Sequence, residues 1–441
     1  MRGWPDDKRP VLSIAAMTAA GFALTLYVFY PGVMTFDALY VYKDMAKGFF
    51  GDWQSPVMIV LWSLVDPIAP GTGSLLLLTV ALYWLAFGVV ALTVARRSPR
   101  LALLLPLLAL SPPAFVFVGI IWRDVLFAVT WLLAAALAYA VAERGLKLRI
   151  PFQAIAFCLF AFGVLLRPNA LAAAPLLAAY ILWPAGFRWK RAAIFYVPAA
   201  LGLFGLVQVV YYGVLGATRQ QPLHSIMVFD LGGISHFAKT NVFPGSWTAA
   251  ETALITDGCY KPLAWDIYWT QEPCMFVMEH LEKRDNIFAA PELTAAWRHA
   301  IVGHPFAYVA HRATFMATFL FGGANMTMWT RDLDDPDKIM FADKPRLMAL
   351  KALHDALKPT PLFRTGTWLL LDAAVCLFAW RRRNTPPGAF ALGICGSAIV
   401  YMMTFFAVGV ATDFRYAYWA VLAGLTGAIA VAQIRDGTPS S

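Results

Sequence analysis

Residues 74–95 read Ser-Leu-Leu-Leu-Leu-Thr-Val-Ala-Leu-Tyr-Trp-Leu-Ala-Phe-Gly-Val-Val-Ala-Leu-Thr-Val-Ala, with no Asp, Glu, Lys, Arg or His, and Arg96-Arg97 follow at once. As a helix this run reaches about 33 Å, enough to cross the roughly 30 Å of hydrocarbon in a bilayer. Lipid offers no partner to an open backbone N–H or C=O, so such a run must be helical. Runs of the same kind recur at 11–30, 101–121, 125–142, 151–166, 169–185, 192–215, 363–380, 388–410 and 415–434. Of the 441 residues, 60% are hydrophobic and 14% charged, and the mean hydropathy of +0.63 excludes an ordinary soluble domain. The fold class is therefore all-α integral membrane, with about ten transmembrane helices.

The formal charge of +9 invites a nucleic-acid reading. The basic residues, however, lie in short clusters between apolar runs, so they act as orientation signals and no nucleic-acid partner is expected. Arg2, Lys8 and Arg9 precede the first run; without a small-residue cleavage site it reads as a retained span with the N-terminus inside. The loops Arg96/Arg97/Arg100, Arg144/Lys147/Arg149, Arg188/Lys190/Arg191 and Arg381–Arg383 then all face the cytoplasm, as do both termini. Three regions follow: an N-terminal transmembrane module, 1–215, with an outer loop at 31–73; an extracytoplasmic segment, 216–362; and C-terminal spans, 363–441.

In the first outer loop, Tyr30-Pro31-Gly32 stops the first span, 37–50 has the pattern of a short amphipathic helix, and Gly51-Asp52 breaks it. Pro56 opens a second short helix reaching about Val65. In the outer segment, 305–322 is apolar enough to pass for a span, but His311 and Arg312 would then sit near mid-bilayer. An interfacial helix, aromatic on one side and basic on the other, is expected instead. Cys158, Cys376 and Cys395 lie in apolar runs, where a thiol is a small hydrophobe. Cys259 and Cys274 stand in the long polar stretch; a disulfide there would contribute about 3 kcal/mol and implies an oxidising compartment.

On this topology the polar residues nearest the spans fall on the outer side: Asp37, Asp52, Arg123-Asp124, Arg167-Pro168-Asn169 and Asp413-Phe414-Arg415-Tyr416. Each has an ordinary structural alternative. Asp37 is either a solvated carboxylate or helix cap, or a general base whose desolvation raises its proton affinity. Asp52 also fits a plain turn. Arg123 and Arg167 read as a local pair with Asp124 and a snorkelling side chain, or as guanidinium groups that clamp a phosphate. Asp413 also fits a helix cap, and Tyr416 an aromatic belt. No HExxH, P-loop, GxGxxG, GxSxG or CxxC pattern occurs, so zinc, nucleotide and redox chemistry find no motif. The acids at Asp332, Asp334, Asp335 and Asp337, near Arg331, fit a solvated loop or a divalent-cation site, so a divalent cation is the one cofactor the chain leaves open.

The run Tyr30-Pro-Gly-Val-Met-Thr-Phe-Asp37, with Tyr40, Tyr42 and Gly51-Asp-Trp-Gln-Ser-Pro56, resembles the first outer loop of GT-C-fold glycosyltransferases, such as protein O-mannosyltransferases and the lipid A aminoarabinose transferase. Trp122-Arg-Asp124, Leu166-Arg-Pro-Asn169, Asp230-Leu-Gly-Gly-Ile-Ser-His236 and Asp413-Phe-Arg-Tyr416 extend the resemblance along the chain. It implies inverting transfer of a sugar from a polyprenyl-phosphate donor to an envelope glycan, lipid or protein hydroxyl, at the outer face of a bacterial inner membrane. It places Asp37 as base, with Asp52 and Asp124 beside it as catalytic candidates. Arg123, Arg167, Asn169, His236, Arg415 and Tyr416 become substrate-binding candidates. Relatives commonly carry His-Pro-Pro where this chain has Gln54-Ser55-Pro56. The competing readings are a lipid-linked-sugar flippase or presenting subunit, for which internal pseudo-symmetry and midplane charges are expected, and an envelope scaffold.

Overall fold

The structure, a computed structural model, describes residues 9–145, 149–270, 272–322 and 345–436, and these are almost entirely helical. No β-strand forms among the described residues; three isolated bridges join loops. The acids at 332–337 lie outside the described residues.

The first span, α1 (Arg9–Phe29), leads into α2 (Phe36–Ala46) and α3 (Pro56–Val65). Thr35 caps α2 by accepting from Ala38 N–H at 3.4 Å, and Ser55 caps α3 with Pro56 in its first turn. Then α4 (Gly73–Val94) crosses, and the expected span 101–121 forms in pieces: α5 (Pro99–Ala102), α6 (Leu104–Ala109) and α7 (Pro112–Val118). The bend of 52° falls where Pro112 and Pro113 cannot continue the helix ahead of them. The helices α8 (Arg123–Arg144), α9 (Arg149–Leu166), α10 (Ala174–Leu182) and α11 (Trp189–Gln208) follow, the last continued by a wide π turn to Val214.

The segment 216–362 contains α12 (His224–Ala238), the short α13 (Ala249–Ala253), α14 (Ile267–Thr270) and α15 (Phe276–Met278), then α16 (Pro291–Gly303), α17 (Pro305–Phe321) and α18 (Pro345–Leu357). The chain closes with α19 (Thr365–Trp380), α20 (Pro386–Val408) and α21 (Tyr418–Asp436). Among the described residues seven helices are long and apolar enough to cross a membrane, or eight with the bent pair. The runs at 169–185 and 363–380 form shorter helices, because Pro168 and Pro175 confine α10, and Pro361 and Arg364 precede α19.

The axis of the bundle is α8, 89% of whose apolar window is buried against α4, α9, α20 and α21. It is apolar on every face, as a helix surrounded by protein must be. By contrast α1 and α11 are 17% buried and form the lipid-facing rim. Lipid is as apolar as leucine, so packing and buried hydrogen bonds hold the helices together. Trp131 of α8 donates to Phe160 O at 3.1 Å and meets Trp419 edge-on at 5.5 Å; Trp84 donates to Thr25 at 2.9 Å.

The basic loops gather at one end of this bundle. Arg97 pairs with Glu143 at 2.8 Å, Arg144 donates to Leu92 O at 3.0 Å, and Phe187 N–H donates to Arg383 O at 2.6 Å. At the other end of α4 and α8 the first loop is pinned by Val33 N–H to Gly119 O at 2.9 Å and Ile121 N–H to Val33 O at 3.0 Å.

The expected basic face of 305–322 is not turned to water. In α17, His311 and Arg312 are fully buried against α12, because Asp230 supplies a counter-charge that the sequence pattern of 305–322 alone does not reveal.

Candidate active site

The polar residues converge where α2, the start of α8, the turn after α9 and the α20–α21 connection meet. Asp37, in the first turn of α2, forms an ion pair with Arg415. Arg415 also reaches Asp413 from Nε at 3.2 Å, and its guanidinium lies over the rings of Trp122 at 4.8 Å and Tyr416 at 5.2 Å. Asp413 starts the short helix containing Arg415 without capping it by its side chain, so its carboxylate serves the arginine. Arg123 donates to Trp53 O at 3.3 Å, which turns it toward the first loop and away from its neighbour Asp124.

Asp124 pairs instead with Arg167 at 2.9 Å, both side chains nearly inaccessible, and Arg167 donates to Tyr401 at 3.2 Å and lies over Tyr416 at 5.0 Å. Arg167 is thus a buried, ion-paired group rather than a snorkelling one. Asn169 is half-buried in the 3-10 turn directly behind it.

Burial raises the proton affinity of Asp37, but Arg415, Arg123 and Arg167 together hold the carboxyl below its ordinary range. All three arginines therefore act on one acid. Its side chain keeps 38% of its exposure, so it faces an opening rather than a sealed core. Asp413 behaves oppositely: burial outweighs Arg415, and with Asp37, Asp266 and Asp124 nearby it is pushed up to about 6. An acid ionised at neutral pH thus stands beside one that titrates.

Asp52 has a different place. Its carboxylate accepts from Gln220 N–H at 2.6 Å and Tyr212 O–H at 2.8 Å, while its own N–H donates to Thr218 O at 3.1 Å. It ties the first loop to the segment after α11. His236 donates from Nδ1 to Thr256 O at 2.9 Å and stacks on Tyr260 at 4.9 Å; among the described residues none of these contacts is with the Asp37 cluster.

Two further residues have contacts at the site that the sequence does not foretell. Gln54 donates to Asp37 at 3.5 Å. Asp266 is solvent-accessible yet close enough to Asp37 and Arg415 to feel both charges. It arrives through the Cys259–Cys274 disulfide loop: Trp265 N–H donates to Val410 O at 2.8 Å and Thr412 N–H to Leu263 O at 2.9 Å. The only sequence signal for it is its position inside the cysteine pair. Among the described residues no group of three or more His, Cys, Asp or Glu is placed to hold a metal ion.

No family model matches the chain. No curated protein matches it in sequence. It is similar in structure to two crystal structures of the oligosaccharyltransferase of Archaeoglobus fulgidus, at 14% identity in each case. One, tethered through a disulfide to an acceptor peptide with the NVT sequon, aligns with a TM-score of 0.40; the other, in the apo form, with 0.37. The alignments cover 99% of this chain and 50% and 51% of those chains, so this chain spans about half the length of the proteins it resembles.

Proposed function

We propose that this protein is a membrane glycosyltransferase that moves a sugar from a polyprenyl-phosphate donor to an acceptor hydroxyl, with inversion, and that Asp37 is its general base. The acceptor O–H attacks the anomeric carbon, its proton passes to the Asp37 carboxylate, and the bond from that carbon to the phosphate oxygen breaks. Arg415 and Arg123 bind the departing phosphate and stabilise the negative charge that grows on it. The observation that carries the reading is the convergence of three arginines on one partly open carboxylate.

The ion pair is the donor-free arrangement. A phosphate that takes Arg415 removes the main counter-charge from Asp37, so its proton affinity climbs when a base is needed. Arg167 and Asp124 hold the floor of this site, and Asp52 holds the first loop over it. The acceptor is an envelope glycan, lipid or protein.

The site lies on the outer face of a bacterial inner membrane, with both termini in the cytoplasm. This is supported by α8, which begins with Arg123 at the site and ends with Arg144 among the basic loops at the other end. The test is purified protein in vesicles with a polyprenyl-phospho-sugar, following release of polyprenyl phosphate. Release that needs acceptor and is lost in Asp37→Asn is expected; equal release by the variant overturns the assignment.

A further inference from the structure

The α12 helix carries two adjacent glycines whose spaces are filled by other elements. A Cβ on Gly232 would lie 2.0 Å from the Tyr268 hydroxyl, and one on Gly233 would lie 2.2 Å from the His311 ring. The first contact seats the disulfide loop on α12 and the second seats α17. Between them Asp230, fully buried, is met by Arg312 Nε at 2.7 Å, His311 Nε2 at 3.2 Å and Trp297 N–H at 2.7 Å. Arg312 then donates from Nη1 to Gly409 O at 2.7 Å. Gly409 ends α20, four residues before Asp413, and a Cβ there would lie 2.4 Å from Phe315 of α17.

Two routes thus run from α12 to the same short segment, one through the disulfide loop to Val410 and Thr412, the other through Arg312 to Gly409. A buried ion pair is weak evidence for stability, since apolar replacements of similar volume are often as stable. Its value lies in direction: the planar guanidinium grips Asp230 on one edge and the Gly409 carbonyl on another.

We propose that Asp230 and Arg312 are positioning residues that set the 409–413 segment, and through it place Arg415 against Asp37. The inference rests on the reading of Asp37 and Arg415 as the active site. Arg312→Lys keeps a charge for Asp230 but cannot bridge to Gly409 O at the same time. Asp230→Leu combined with Arg312→Met removes both charges and leaves neither orphaned.

Hydrogen exchange and transfer kinetics on the full chain in lipid nanodiscs test the proposal. In both variants amides at 409–413 should exchange about tenfold faster or more, with α8 unchanged, and donor KM should rise about tenfold with a smaller change in kcat. Unchanged exchange at 409–413 in a folded variant overturns the positioning role. So does a loss of kcat with donor KM unchanged. If wild-type protein transfers no sugar, the function reading fails while the exchange result still judges the tether. If neither variant folds, wild-type exchange decides: 409–413 must open together with α12 and α17, and independent opening overturns the proposal.

Discussion

The Asp37 carboxylate and the Arg415 guanidinium form an ion pair across 378 positions of the chain, joining the first loop to the start of the last helix. The side chain of Arg415 is 14% exposed and that of Asp37 is 38% exposed, so the acid looks out of the pair toward solvent and the arginine backs it. On the proposed function the arginine takes the donor phosphate and the carboxylate takes the acceptor proton.

Asp37→Asn removes the base and keeps the shape. Transfer should fall by roughly a hundredfold or more, while expression stays near wild type and the melting temperature falls only slightly, because the side chain is half open. A reconstituted assay with lipid-linked donor checks this.

Arg415→Ala removes a charged contact to the donor phosphate, and donor KM should rise by roughly tenfold to a hundredfold. The asparagine variant at 37 should not show that rise, so the two substitutions separate in a plot of rate against donor concentration.

Asp413 gives the site a pH response. Its folded pKa of about 6 lies above the ordinary 3.8, so its contribution to stability is full at low pH and is lost as pH rises through about 6. Asp37, held low, contributes stability above 3.8 that is lost as pH falls through its folded value. Ionised Asp413 also competes with the donor phosphate for Arg415. Donor KM should therefore rise between about pH 5 and about pH 7 in wild type, and Asp413→Asn should flatten that profile.

Arg167→Ala leaves Asp124 buried without its counter-ion. Loss of a buried partner costs about 3–5 kcal/mol, so this variant should melt well below wild type, unlike Asp37→Asn. A thermal melt in detergent distinguishes the architectural arginine from the base.

Reduction of Cys259–Cys274 frees a loop whose ends are 15 residues apart. The cost is about 3 kcal/mol on the loop-entropy model, and the loop carries Leu263, Trp265 and Asp266 to the site. A thiol reductant should lower both the melting temperature and the transfer rate, and Cys259→Ser with Cys274→Ser should lose that sensitivity.

Much of the fold is legible in the chain because the relevant physics is local. Whether 74–95 or 386–408 is helical depends on about twenty consecutive residues and the absence of water, and Ser55-Pro56 announces α3 in two residues. The candidate residues could be picked out by type and by their place at the ends of the apolar runs. Their partners could not: Arg123 adjoins Asp124, yet the acid goes to Arg167 and Arg123 turns to Trp53.

The apolar pattern alone determined that this is an all-α membrane protein with short helices in its first loop, and it marked Asp37 and Arg415 as residues out of keeping with their surroundings. Only the tertiary structure decided that these two touch, that Asp266 joins them, and that Arg312 is buried on Asp230 rather than exposed at an interface. Hydropathy is a sum over neighbours in the chain, whereas an ion pair depends on how distant helices pack, and no periodicity in the sequence records that packing.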